Sequence, residues 1–231
     1  MYHTGVCNSV KANSQKSFVG HLTSGRSMSQ VKCKQVNILP GGTYSKLCDL
    51  AEKQLRNNTD PKIVYFIAGI PDICTLTRDK KQKYEESYLN LEKDHVLHIQ
   101  NTISDVEKRI RNIGCKIVLG TITTISFKNW NSHRKFVGKT VHLKHETEYH
   151  IMQEQLNSIL YTVNSYIINK NLENGVVSLF LHSYVHKRSG KKTRYIYTRL
   201  VDGVHPTHAP SAAWTRHLET TIDINEHNLN L

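Results

Sequence analysis

Two almost unbroken apolar runs stand out in a chain that is otherwise amphipathic. Residues 62–70 read KIVYFIAGI and residues 115–121 read CKIVLGT. Their length and β-branched content predict strands buried on both faces, as in the middle of a parallel sheet. A shorter run over 17–22, an alternating stretch over 31–39 and a run over 176–185 predict three more strands. Between them the apolar period changes to three and four. After the break at Pro40-Gly41-Gly42, Thr43 can cap a helix that carries Leu47, Leu50, Ala51 and Leu55 on one side. Val96, Ile99, Ile103, Val106, Ile110 and Ile113 predict the apolar stripe of a long helix over 84–113. Gly114 follows as its C-cap, and Lys108, Arg109 and Arg111 suit the negative end of its dipole. Met152, Leu156, Ile159, Leu160, Val163 and Ile167 predict a helix over 146–169, and a last helix starts near Ser211. Residues 125–145 show no period and read as a basic, His-rich excursion.

Strands that alternate with helices along the whole chain predict an α/β fold: one three-layer domain over 16–231, with a mostly parallel sheet flanked by helices, after a polar, loosely ordered segment 1–15. Sites in such sheets lie beyond the carboxyl ends of the strands. The turns there hold Ser24, Gly41-Gly42, residues 69–72 and residues 121–124.

Composition narrows the classes of function. With 38% hydrophobic and 22% charged residues in 231, the chain can build a core and is not of the disordered class. Its formal net charge of +12 attracts polyanions such as nucleic acid or an acidic membrane surface; a basic but inert surface is the alternative. The clearest basic cluster is Lys187, Arg188, Lys191, Lys192 and Arg194, with Tyr184, Tyr195 and Tyr197 as stacking surfaces. It is a candidate contact for RNA or single-stranded DNA, or simply a solvated hairpin. Five cysteines, an odd number with no CxxC, predict buried free thiols in a reducing compartment, hence an intracellular protein of cytoplasm or nucleus. No apolar run is long enough to cross a bilayer, and no signal-peptide core is expected. His142, His145 and His150, with Glu146 and Glu148, match no closed zinc spacing, so neither a metal nor another cofactor is expected.

Four short segments carry the candidate chemistry. Leu22-Thr23-Ser24-Gly25 places a hydroxyl on a turn after the first strand. Leu39-Pro40-Gly41-Gly42 presents backbone N–H groups at a helix start. Ala68-Gly69-Ile70-Pro71-Asp72 ends the most apolar strand. Val201-Asp202-Gly203-Val204-His205-Pro206 precedes the last helix, and an Asp three residues before a His can hold the imidazole in one tautomer as a general base. Each feature has a plainer reading: Ser24 as a turn hydroxyl, Asp72 as a turn residue, Asp202 and His205 as an Asp-Gly turn with a capping His.

In this order the segments resemble the SGNH, or GDSL-type, hydrolase superfamily. Asp202-Gly203-Val204-His205 matches its late DxxH motif, Gly41 or Gly42 its second-block glycine, and residues 69–72 its GxND turn with Pro71 in place of Asn. LPGGT, VYFIAGIPD and VDGVHPT are similar to the esterase-like domains in the first open reading frame of LINE-type retrotransposons and to related viral or transposon-derived domains. The likeness spans residues 17–222. It implies a flavodoxin-like three-layer fold and a serine esterase acting on a small acyl ester, with Ser24 as nucleophile, His205 as base, Asp202 orienting the His, and Gly42 and Gly69 in the oxyanion hole. Two departures imply a degraded set. Thr23-Ser24 is a poor match to the GDS turn, and Pro71 offers neither a side-chain donor nor a backbone N–H. A pseudo-hydrolase that binds RNA or single-stranded DNA through its basic surface is the alternative.

Overall fold

The computed structural model describes residues 16–20, 35–38, 42–56, 62–79, 84–89, 95–138, 141, 143–189 and 192–229; the expectation for segment 1–15 falls outside them. Numbered in chain order, β1 (Lys16–Gly20), β2 (Gln35–Ile38), β3 (Lys62–Ile67) and β6 (Cys115–Leu119) form a four-stranded parallel sheet in the order β2-β1-β3-β6. The apolar run at 62–70 is central because both of its faces are covered. Val64 and Phe66 join one core cluster, and Ile63, Tyr65 and Ile67 join another. On the first face pack α1 (Tyr44–Leu55), α2 (His95–Asn112) and α4 (Glu146–Glu173), through Leu47, Ala51, Ile99, Ile103, Ile110, Leu156 and Val163. On the second, α5 (His208–Leu229) contributes Trp214, Leu218 and Ile222. Burying each large aliphatic side chain is worth about 1.5–3 kcal/mol, so the three layers follow from two apolar sheet faces that each need cover. Thr43 caps α1 by accepting the Lys46 N–H at 3.4 Å. Arg109 of α2 then clamps α1, donating to both Glu52 carboxylate oxygens at 3.0 Å and to Asp49 at 2.6 Å.

Three elements differ from the periodicity reading. Of the helix expected over 84–113, His95–Asn112 is helical. Residues 84–89 form β5 (Tyr84–Leu89), antiparallel to β4 (Cys74–Asp79) with Cys74 opposite Leu89. The helical stripe starts at Val96, and the pairing of residues 84–89 with residues 74–79 decides the stretch before it. The excursion at 125–145 contains a helix, α3 (Phe127–Phe136), capped by Ser126, whose hydroxyl accepts the Asn129 N–H at 3.2 Å. Only Phe127 and Asn131 of α3 are buried, too narrow a contact face to leave an apolar period. The strand expected over 176–185 shrinks to a single parallel bridge, Gly120 to Leu179, followed by a 3-10 turn, Leu181–Val185. The reason is a side chain: the Asn225 carboxamide accepts the Val177 N–H at 2.6 Å and donates to its C=O at 3.2 Å. The basic loop after it is a hairpin of β7 (His186–Ser189) and β8 (Lys192–Tyr195).

Carboxamides also close the outer edge of β6. Asn171 accepts the Leu119 N–H at 2.9 Å and donates to its C=O at 2.7 Å. Asn164 does the same for Ile122, at 2.7 and 2.9 Å. Seven helical residues rise about 10.5 Å, and three extended residues span about 10 Å. Two asparagines one heptad apart on α4 therefore meet backbone positions three apart on the strand and its tail. Gln153 extends the series by donating to the Ile125 C=O at 2.8 Å. Replacing Asn164 by Leu would leave the Ile122 N–H and C=O buried without partners. The expected cost is about 3 kcal/mol, read as a lower urea midpoint at unchanged m-value; a loss under about 0.5 kcal/mol would show that these bonds do not hold the edge.

Candidate active site

The segment held by α4 carries the site. Beyond Ile122 the chain runs to Ser126, whose backbone N–H donates to the Gly203 C=O at 2.7 Å. Gly203 sits at φ +89°, and a Cβ there would lie 2.5 Å from Trp130 N and 2.6 Å from Ser126 O. Only glycine fits both the left-handed backbone and this approach to the start of α3. The loop is closed on itself by the Val201 N–H donating to the His205 C=O at 2.7 Å and by a bridge from Leu200 to Pro206.

This docking sets the Asp202–His205 pair. Asp202 is 4% exposed. Its Oδ1 accepts the backbone N–H groups of Val204 at 3.0 Å and His205 at 2.8 Å, and its Oδ2 lies 2.5 Å from His205 Nδ1. Burial alone would raise the Asp202 pKa, but the bond from the His205 ring and the two backbone N–H groups outweigh it and bring the carboxyl down to about 2. An ionised acceptor of this kind fixes the proton on Nδ1, so Nε2 is the ring nitrogen left for proton transfer. The edge of Trp130 flanks the imidazole, with ring centroids 6.3 Å apart. Neither Trp130 nor Ser126 was legible as a site residue in the sequence; the signal available was the Ser126-x-x-Asn129 cap.

Gly69 lies at the other end of the same segment. Gly69, at φ +118°, packs against the Ile122 side chain, and a Cβ there would also meet Tyr44 Cε2 at 3.3 Å. Gly42 is buried two residues before α1. The turn Ile70–Ile73 follows Gly69, and both Asp72 carboxylate oxygens accept the Tyr44 N–H at 3.2 Å. Asp72 therefore serves as a structural partner of the α1 start, and burial, only partly offset by that hydrogen bond, pushes its pKa up to about 6. Ser24, Gly41 and Lys191 lie outside the described residues, as does His142. His145 precedes α4, where its N–H is accepted by Glu148 at 3.0 Å, and His150 is exposed. Among the described residues, no three His, Cys, Asp or Glu come together as a metal site.

A second polar cluster borders the sheet edge. The buried Thr121 hydroxyl meets the Leu179 C=O at 3.1 Å and His182 Nδ1 at 2.8 Å. Burial, with His186 nearby, lowers the His182 pKa to about 4, so its ring is neutral at pH 7. Tyr195 and Tyr197 stack with centroids 6.1 Å apart. On the adjoining hairpin Lys187 is exposed and opposite Arg194 in register, while Arg188 faces Thr193 and Ser189 faces Lys192.

No protein-family model and no curated protein matches the sequence. Solved structures do match. A protein from Bacteroides fragilis assigned as an acylhydrolase aligns over 96% of this chain and 91% of its own, at 14% identity and TM-score 0.55. A GDSL-like lipase from Bacteroides thetaiotaomicron aligns over 91% and 86%, at 11% identity and TM-score 0.53. A protein from Desulfitobacterium hafniense assigned to the G-D-S-L lipolytic family aligns over 90% and 99%, at 10% identity and TM-score 0.54. The chain therefore has the SGNH hydrolase-like α/β fold, and at these identities the likeness is one of fold.

The two carboxyls act oppositely on stability. Asp202 has a folded pKa below its unfolded value, so its contribution is full above about pH 4 and is lost as pH falls through 4 towards 2. Asp72 has a raised folded pKa, so its contribution declines as pH rises from about 4 to 6. Asp202→Asn is expected to cost about 2 kcal/mol at pH 7 and to approach wild type near pH 2. Urea midpoints across pH measure this; a cost that is the same at both ends would show that the charge of Asp202 is not what matters.

Proposed function

We propose that this chain is an SGNH-type hydrolase domain with a degraded catalytic set, whose action on small acyl esters is residual. The Asp202–His205 geometry carries the reading: a buried, triply hydrogen-bonded carboxylate holding an imidazole in one tautomer is the base of a nucleophilic hydrolase. Ser24 is the nucleophile. As its oxygen bonds to the ester carbonyl carbon, its proton passes to His205 Nε2. The imidazolium then gives that proton to the departing alcohol, and water, deprotonated by the same nitrogen, releases the acid and restores Ser24. The backbone N–H groups of Gly42 and Gly69 receive the developing oxyanion. Pro71 stands where the resembled motif has a side-chain donor, and one missing donor is worth about 10²–10³ in rate. The similarity of LPGGT, VYFIAGIPD and VDGVHPT to retrotransposon first-reading-frame domains supports a viral or mobile-element origin.

A second reading, contact with RNA or single-stranded DNA, is favoured by one feature. The stacked Tyr195–Tyr197 pair lies beside a hairpin bearing Lys187, Arg188, Lys192 and Arg194, which combines stacking surface with basic charge.

Hydrolysis of p-nitrophenyl acetate by the purified protein tests the enzymatic reading. Slow turnover above buffer is expected, falling at least about tenfold in Ser24→Ala and in His205→Ala. Activity unchanged in Ser24→Ala, or none at all in wild type, would end it. Pro71→Asn is expected to add little, because the Thr23-Ser24 turn has departed as well; a gain of about two orders of magnitude would contradict the degraded reading.

A further inference from the structure

The helix that receives the catalytic loop ends in an unusual surface. At the C-terminal end of α3, Phe136 is 87% exposed and Val137 51%. The chain returns to α4 through Leu143, which is 41% exposed. A large aromatic left almost wholly in water beside aliphatic neighbours is a mark of an interaction surface rather than of ordinary surface scatter. The Phe136 ring lies 6.4 Å from that of His133, centroid to centroid. The surroundings are basic. Residues 127–145 contain Lys128, Arg134, Lys135, Lys139 and Lys144 and no acidic residue. Lys128 is engaged by Glu146 at 2.6 Å, and the Arg134 guanidinium lies 5.6 Å from the Trp130 ring centroid. Lys135 is exposed next to Phe136.

We propose that this basic, apolar-tipped end of α3 docks the protein on a membrane surface rich in anionic lipid. Phe136 and Val137 enter the boundary between headgroups and acyl chains while Lys135 and its neighbours meet the lipid phosphates. Two terms then act together, apolar burial and attraction to a negative surface, and each alone gives weak binding. The aliphatic member separates this partner from nucleic acid, since Val137 offers no face on which a base can stack. Among the described residues no helix is long and apolar enough to cross a membrane, so the contact is peripheral. The opposite end of α3 holds Gly203, about 15 Å away for a helix of ten residues, so docking would bring the Asp202–His205 loop near the lipid surface. The proposal stands whether or not the protein hydrolyses esters.

Cosedimentation of the full chain with vesicles tests it. Vesicles of phosphatidylcholine with about 30% phosphatidylglycerol should bind the protein, and pure phosphatidylcholine vesicles should bind it at least about tenfold less. Phe136→Ser with Val137→Ser should lower binding to the anionic vesicles at least about tenfold, with the melting temperature unchanged because both residues are exposed. Tyr161→Ser, at a 77% exposed position of α4, should leave it unchanged. No binding to anionic vesicles, equal binding to both kinds, or full binding by the double variant would overturn the proposal. So would loss of single-stranded oligonucleotide binding in the double variant without any vesicle binding, which would assign the surface to nucleic acid.

Discussion

Among the described residues the outer edge of β6 has no full neighbouring strand, and Leu119 there and Ile122 beyond it are buried. That constraint shapes the rest of the molecule. Asn171 and Asn164 satisfy Leu119 and Ile122 from α4, and the chain beyond them is thereby held extended as far as Ser126. Everything placed at the carboxyl edge depends on this segment. The Ile122 side chain abuts Gly69 at one end, and Ser126 receives Gly203 at the other. A buried N–H or C=O without a partner costs about 1–3 kcal/mol, so the asparagines are as necessary to the site as to the sheet.

Electrostatics at that edge divides two acidic residues by their surroundings. Asp72 lies on the turn after β3 and Asp202 on the loop before α5. Asp202 is met by an imidazole and two backbone N–H groups and stays ionised well below the usual carboxylate range. At Asp72 burial outweighs the backbone N–H groups of Tyr44 and of Asp72 itself. The first arrangement suits a group that must support an imidazolium during catalysis; the second suits a helix-start partner. In the proposed site the oxyanion side is the weaker half, because Pro71 occupies the position where the resembled motif has a donor.

The sequence revealed the parts of this fold that have a strong period. The runs at 62–70 and 115–121 read directly as buried strands, and the stripes of α2 and α4 as helices, because each buries a continuous face. It concealed the parts decided by a single tertiary partner. β5 exists because Tyr84–Leu89 pairs with Cys74–Asp79, and α3 buries too few side chains to leave a pattern. The strand expected over 176–185 shrinks to one bridge at Leu179, and at Val177 the Asn225 side chain takes the role of a neighbour. In the site, Asp202 and His205 were legible because their relation is local, three residues on one loop. Ser126, Trp130 and the α4 carboxamides were not, because their partners lie far along the chain and amide side chains on a helix read as ordinary surface.

Nitrogen-15 NMR of the His205 ring tests most directly the claim that Asp202 prepares this imidazole as a base. The account predicts a proton on Nδ1 held by Asp202, a downfield Nδ1–H signal, and a change of both in Asp202→Asn. A ring carrying its proton on Nε2, or a spectrum indifferent to Asp202→Asn, would contradict it.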